Sequence, residues 1–387
     1  MERNDKDELL ERLLRGIGKE KSYEEKRRLR ASSKAKRAAR RREKPRDSRW
    51  DEDDDEPQLE EKLASAARLE LPREIEFDDE RPGEEAVVVA VDRARVRVRP
   101  FGTPSDGSGD LDRELEAVTS ARDGAIAVGD RAVIERLAHG AVVVRALRTR
   151  STRLSRPDPG DPRRERVIAA NVDTAVIVVS VGEPAFKPAF VDRMLVAVQF
   201  GGVAPIVCVN KIERLEGGVE RTKLDATRAT LHDLSIPLVL ASAHDGTGID
   251  ELRGQLSGKR CVFVGHSGVG KSSLFNALDP SSERATGNVR ESDGRGRHTT
   301  TRSCLREVWP GTELVDTPGV RQFGLWGFER ATLASYFPEF AAERCRFRDC
   351  SHTVEPACGV RAAVDAGRIA VSRLAVYVRL RAEIADD

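Results

Sequence analysis

The stretch Cys261–Leu278, CVFVGHSGVGKSSLFNAL, decides how the rest of this chain is read. Cys261 to Val264 is a short apolar run that ends at glycine, the pattern of a buried strand. Gly265, Gly268 and Gly270 then permit a tight turn whose backbone N–H groups converge on phosphate oxygens. Lys271 brings a positive charge to the same place, and Ser272 offers a hydroxyl to a magnesium ion. A helix is expected over Lys271–Leu278, with its positive dipole end facing the anion. G-x-x-x-x-G-K-[ST] between a strand and a helix specifies a nucleoside-triphosphate site, which here takes in Gly265, His266, Ser267, Gly268, Val269, Gly270, Lys271, Ser272 and Ser273.

Apolar strands alternate with amphipathic segments on the N-terminal side of this loop. Ala175–Val181 is followed by a helix near Phe190–Phe200, Pro205–Val209 by a helix near Arg221–Leu234, and Pro237–Ala241 completes the set before the loop. Glu313–Val315 continues the series after it. Such alternation predicts a mostly parallel α/β sheet, with ligands gathered at the carboxyl ends of its strands. Four further segments stand at those ends. Asp316-Thr317-Pro318-Gly319 offers a carboxylate to the magnesium shell and the Gly319 N–H to a γ-phosphate. Arg295–Arg302, RGRHTTTR, carries three threonines, of which Thr300 is assigned to magnesium. In Asn210-Lys211-Ile212-Glu213 the amide and carboxylate are suited to read a base edge and the lysine stem to cover the ring. Ser242-Ala243 adds a backbone contact to the base.

The order of these segments is base reader, Ser-Ala, phosphate loop, threonine loop, then DTPG. A conventional GTPase begins with the phosphate loop and ends with the base reader, so this chain reads as a circular permutation of that fold.

The remaining segments are read from their composition. The 387 residues are 39% hydrophobic and 34% charged, with a net charge of +1 that conceals segregation. Residues 19–46 are dense in Lys and Arg, and Asp51–Glu56 is an acidic run. Residues 1–84 are expected to lack a core, leaving two readings open: an RNA-directed arm or a solvated extension. Residues 85–150 suggest a small barrel, with an OB fold leading. In its first segment Ala94, Val96 and Val98 face one side, while Arg93, Arg95, Arg97 and Arg99 face the other. That arginine face suits a phosphate backbone, or else is an ordinary solvated edge. Arg148–Arg166 has the composition of a linker. The longest apolar stretches are too short to span a bilayer and no signal-peptide core is present, so a cytoplasmic location without membrane contact is expected.

Six cysteines are present. Cys208, Cys261 and Cys304 lie in apolar, strand-like runs, whereas Cys345, Cys350 and Cys358 crowd beside His352. Three thiols and an imidazole form a closed tetrahedral set suited to one structural zinc, the alternative being a reduced, metal-free cluster. Ala362–Glu383 alternates like a helix that packs on this knob.

With its permuted order, VIAANVD (Val167–Asp173), GRGRHTTT (Gly294–Thr301), DTPGVRQFGLW (Asp316–Trp326) and the Cys/His cluster, the chain closely resembles the ribosome small-subunit-dependent GTPase A family. The resemblance covers about Val87–Ile384. It implies a circularly permuted P-loop GTPase domain (151–325), an N-terminal OB-like barrel (85–150) and a C-terminal zinc-binding helical domain (326–387). It further implies GTP hydrolysis with Mg2+ in late maturation of the small ribosomal subunit, stimulated by that subunit, with its rRNA as partner. A monomer binding GTP and GDP is expected. Glu213 stands where the family usually has Asp, and reaches guanine N1–H and N2–H₂ only with a shifted backbone. Two other function classes are kept: an RNA-binding scaffold that uses nucleotide as a switch with little hydrolysis, and a stand-alone ATPase. A glutamine often follows the D-x-x-G turn to orient the attacking water, but here that position is Val320. His298, beside the threonines, is the local candidate for orienting water, with Lys271 and Thr300 as the other catalytic groups.

Overall fold

The computed structural model describes residues 75–92, 95–102, 114–119, 125–137, 140–158, 160–161, 163–279, 303–316 and 326–384. Residues 1–74 of the charged N-terminal arm, Arg93, Ala94, the threonine loop with His298 and Thr300, and Thr317–Val320 lie outside the described residues. The end of the arm, 75–84, is described and corrects the coreless reading there, since Ile75 packs against the barrel core and Phe77 bridges to Leu147. The chain divides into two compact units, one containing Glu61–Ala341 and the other Ala342–Glu383.

In the larger unit, β1 (Glu84–Asp92), β2 (Arg95–Pro100), β3 (Leu115–Val118), β4 (Arg131–Arg136) and β5 (Val142–Leu147) form the barrel. The order β1-β2-β3-β5-β4 closes by a β4–β1 pairing, and the β3–β5 pair is parallel. This is the OB arrangement, a five-stranded Greek-key barrel. Within Ala86–Pro100 the chain forms two antiparallel strands, with Asp92 opposite Arg95. The expected alternation holds on β2, where Val96 and Val98 are buried in the barrel core. On β1 both faces are buried: Ala86 and Val88 enter the barrel core, while Val87 and Val89 join the core of the α/β domain. Two apolar neighbours explain why AVVVAV shows no polar alternation.

The second half of this unit begins with β6 (Arg153–Pro157) and β7 (Glu165–Ala170), an antiparallel pair. This corrects the linker reading of Arg148–Arg166. Leu154 and Ala169 are buried, and Asp158 accepts the Gly160 and Asp161 N–H groups at 2.7 and 3.2 Å to close the turn. Pro and Arg mark that turn and its exposed faces, and they masked two short strands. Then follow β8 (Thr174–Ser180), α1 (Pro188–Phe200), β9 (Ala204–Asn210), α2 (Gly218–Asp233), β10 (Leu238–Leu240), α3 (Ile249–Leu256), β11 (Arg260–Val264) and α4 (Lys271–Leu278). The strands β12 (Cys304–Trp309) and β13 (Thr312–Asp316) complete the sheet.

The α/β portion is ordered β10-β9-β8-β11-β13-β12, parallel except for β12, and β12 pairs with β1 so that barrel and domain share one sheet. β8 is buried along its whole length, as a central parallel strand must be. From β8 the chain winds through β9 and β10 to one edge, then returns to place β11 on the other side of β8. The strand order therefore reverses between β8 and β11, and a crevice opens at their carboxyl ends.

The smaller unit carries α5 (Gly359–Asp365) and α6 (Val371–Glu383). The single helix expected over Ala362–Glu383 is thus two. Gly367, at φ +76°, ends the first by a left-handed turn in which its N–H reaches Val364 O and that of Arg368 reaches Ala363 O.

Candidate functional site

The phosphate loop forms where the strand order reverses. Its strand and helix, β11 and α4, are those expected from the sequence. Glycine is required at Gly265 because a Cβ there would overlap Val178 O, and at Gly270 because one would overlap Asn210 Nδ2. Gly270, at φ +92°, also has backbone dihedrals that L side chains rarely adopt. Lys271 Nζ donates to Gly265 O and His266 O, both at 2.8 Å, so the ammonium is tied to the loop it serves. Ser272 and Ser273 are exposed in the first turn of α4. Val269 is buried among the α/β core residues and anchors the loop from below.

The segment Asn210–Glu213, expected from the sequence to read the base, meets the loop directly. Asn210 ends β9, is buried, and donates from Nδ2 to Val269 O at 2.9 Å. Its Oδ1 accepts the Ala243 N–H at 3.2 Å. The amide therefore ties the phosphate loop to the Ser-Ala turn. Lys211 follows in the left-handed conformation (φ 63°) and its Nζ donates to Glu183 O. Glu213 sits on the single-turn helix Ile212–Arg214, with one carboxylate oxygen 3.6 Å from Arg214 Nε. Ser242 is fully buried, and its Oγ accepts the N–H groups of His244 and Asp245 at 3.3 and 3.2 Å, which shapes the turn. The backbone of Asp316 ends β13, which pairs in parallel with β11. It thus stands one strand away from the phosphate loop. His298, Thr300 and Gly319 lie outside the described residues.

Two contacts at this site carried no sequence signal. His266 stacks on Phe190 of α1, with ring centroids 4.1 Å apart. Burial first, then the positive charges of Lys187 and Lys271, pushes its pKa below the ordinary histidine value. The carboxylate of Glu220, on α2, accepts the Gly182 and Phe186 N–H groups beside the loop.

The barrel arginines do not form a bare cationic strip. Arg95 pairs with Glu116 at 2.9 Å, Arg97 with Glu114 at 2.7 Å, and Arg99 with Glu313. Glu313 also takes Arg260 at 2.7 Å, a contact between β13 and the strand that enters the phosphate loop. Cross-strand carboxylates thus neutralise the side of β2 that composition offered to phosphates.

In the smaller unit, the ligand atoms of Cys345, Cys350, His352 and Cys358 all lie within 4.8 Å of one another. Cys345 Sγ and Cys358 Sγ are each 3.5 Å from His352 Nδ1, and 3.9 Å from each other. A tetrahedron with Zn–S about 2.3 Å and Zn–N about 2.0 Å has edges of roughly 3.5 to 3.8 Å, so this set fits a zinc ion. Glu355 organises the loop that carries His352. Its carboxylate accepts the N–H groups of Ser351, Thr353 and Val354 at 2.8, 3.2 and 3.2 Å. Hydrogen bonding, led by the Ser351 side chain, draws its pKa down to about 2. Among the described residues no helix is long and apolar enough to cross a membrane.

Comparison with known proteins agrees with this geometry. The family model described as RsgA GTPase matches residues 147–326. A relative from Azotobacter vinelandii, named small ribosomal subunit biogenesis GTPase RsgA, is 38% identical over 331 residues, covering 84% of this chain and 93% of its own. A relative of the same name from Gemmatimonas aurantiaca is 38% identical over 263 residues, 67% of this chain and 84% of its own. Among solved structures, YjeQ from Thermotoga maritima superposes with a TM-score of 0.60 at 30% identity, covering 78% of this chain and 98% of that one. YloQ, described as a circularly permuted GTPase, superposes with a TM-score of 0.56 at 26% identity, covering 80% of this chain and 97% of that one.

Proposed function

The chain belongs to the RsgA GTPase family, and on that premise we propose that it hydrolyses GTP in late maturation of the small ribosomal subunit, with hydrolysis stimulated by that subunit. The observation that carries this reading is the Asn210 amide, which joins the phosphate loop to the Ser-Ala turn at the strand reversal. The segments assigned to phosphate and to base are thereby tied to each other by one side chain, which supports assigning them to one nucleotide.

In this reading the N–H groups of the Gly265–Ser273 loop hold the phosphates, and Lys271 neutralises the β- and γ-phosphates. Ser272, Thr300 and Asp316 hold Mg2+, whose chemistry is to offset the charge that develops on the phosphoryl oxygens. Gly319 senses the γ-phosphate, and His298 orients the attacking water. Asn210, Lys211, Glu213, Ser242 and Ala243 bind guanine. Cys345, Cys350, His352 and Cys358 hold one structural Zn2+, supported by the ligand spacing. The working division is an arm (1–84), barrel (85–150), GTPase domain (151–325) and zinc-binding helical domain (326–387), acting as a cytoplasmic monomer on rRNA.

Multiple-turnover phosphate release, with and without purified small subunits, tests this directly. GTP is expected to be cleaved slowly alone and faster with subunits, and His298→Ala to lose most of the stimulated rate while binding GTP normally. Nucleotide binding without turnover under either condition would leave a switch-like scaffold as the better account.

A further inference from the structure

The segment after β8 runs beside the phosphate loop and Lys211. Ser180, the last residue of β8, donates from Oγ to Pro184 O at 2.9 Å. The Pro184 ring lies 3.7 Å from where a Cβ on Gly268 of the phosphate loop would stand. The carbonyl of the preceding residue, Glu183, accepts the ammonium of Lys211. This short bend therefore touches both halves of the pocket.

One side chain from another element holds the bend. Glu220 lies in the first turn of α2, where the helix dipole favours a carboxylate. Its Oε1 accepts the Phe186 N–H at 2.8 Å, and its Oε2 accepts the Gly182 N–H at 3.1 Å. The two donors bracket Glu183, Pro184 and Ala185, so both ends of the bend are fixed by one charged group. Such charge-assisted bonds are stronger than neutral ones and more demanding of geometry.

We propose that Glu220 is a positioning residue of the nucleotide site, which sets Lys211 over the base through the Gly182–Phe186 bend and seats Pro184 against the phosphate loop. This deepens the GTPase reading and rests on it. The geometry also distinguishes close substitutes. Glutamine keeps the length, but only one of its two terminal atoms accepts, so one of the bracketing bonds is lost. Aspartate keeps both acceptors one methylene short of the bend.

The test is a double-mutant cycle on the full-length protein, using a fluorescent GDP analogue as probe. Glu220→Ala is expected to weaken the analogue about thirtyfold, and Lys211→Ala about tenfold. Because both act through the same lysine, the double variant should be no weaker than about thirty- to fiftyfold, since residues that share a partner do not add. A product of about three hundredfold, the additive result, would overturn the proposal, as would unchanged affinity in Glu220→Ala. If Glu220→Ala fails to fold, Glu220→Gln carries the same cycle with the same criteria. A wild-type protein that does not bind the analogue would sink the GTPase reading itself, whereas additivity in a binding-competent protein sinks only the role of Glu220.

Discussion

Replacing Asn210 by alanine separates two roles that one amide can play. As a base reader alone, it would contribute to guanine affinity and nothing to the protein without nucleotide. As a tie between loops, it satisfies Val269 O at 2.9 Å and the Ala243 N–H at 3.2 Å, in a position only 2% exposed. Removing it leaves a buried carbonyl and a half-buried N–H without partners, at about 1–3 kcal/mol each. Partial relaxation and access of water to the Ala243 side bring the sum to about 2–4 kcal/mol. If that energy is needed to form the binding-competent pocket, nucleotide affinity falls about 30- to 700-fold. The same loss should lower the melting temperature of the nucleotide-free protein by about 4 °C or more. Two measurements are required: titration with a fluorescent GDP analogue, and thermal unfolding without nucleotide. Weaker binding with an unchanged melting temperature would refute the tie and leave only base reading. Asn210→Asp should be no better than alanine, because a carboxylate cannot donate to Val269 O.

Three further outcomes follow from the geometry. Gly265→Ala should reduce nucleotide affinity more than a hundredfold, because its methyl group would overlap Val178 O; isothermal titration with GTP reads this directly. Metal analysis should find about one zinc per chain, and Cys350→Ser should lower the unfolding temperature of the C-terminal unit while leaving GDP affinity within about twofold. Acid sensitivity should include a share from His266, whose folded pKa lies below the ordinary 6.5. The unfolded chain then binds more protons between the two values, so stability rises with pH through that window and is fully present above about 6.5. His266→Phe, which keeps a ring against Phe190, should flatten that part of the melting-temperature profile below pH 6.5; an identical profile in the two proteins would remove His266 from it.

What the sequence determined by itself was local. The phosphate loop is legible because its strand, glycine turn and helix are consecutive, and backbone freedom at Gly265 and Gly270 leaves no other residue in those places. The metal set is legible for the same reason: four ligands of one chemistry fall within Cys345–Cys358. The order of apolar strands determined the permuted sheet, since buried parallel strands need continuous apolar runs. Tertiary structure decided everything that depends on a partner distant in the chain. Arg95, Arg97 and Arg99 read equally as a phosphate-binding face or a solvated edge until Glu116, Glu114 and Glu313 pair with them. Glu220 is one of three acidic residues on its helix until the Gly182 and Phe186 N–H groups arrive from the end of β8. Arg153–Pro157 looked like linker because composition records exposed turns and faces, whereas the strand pairing with Glu165–Ala170 is made by backbone groups common to every residue. Composition reports which groups a segment carries; only the folded chain decides which of them are already taken.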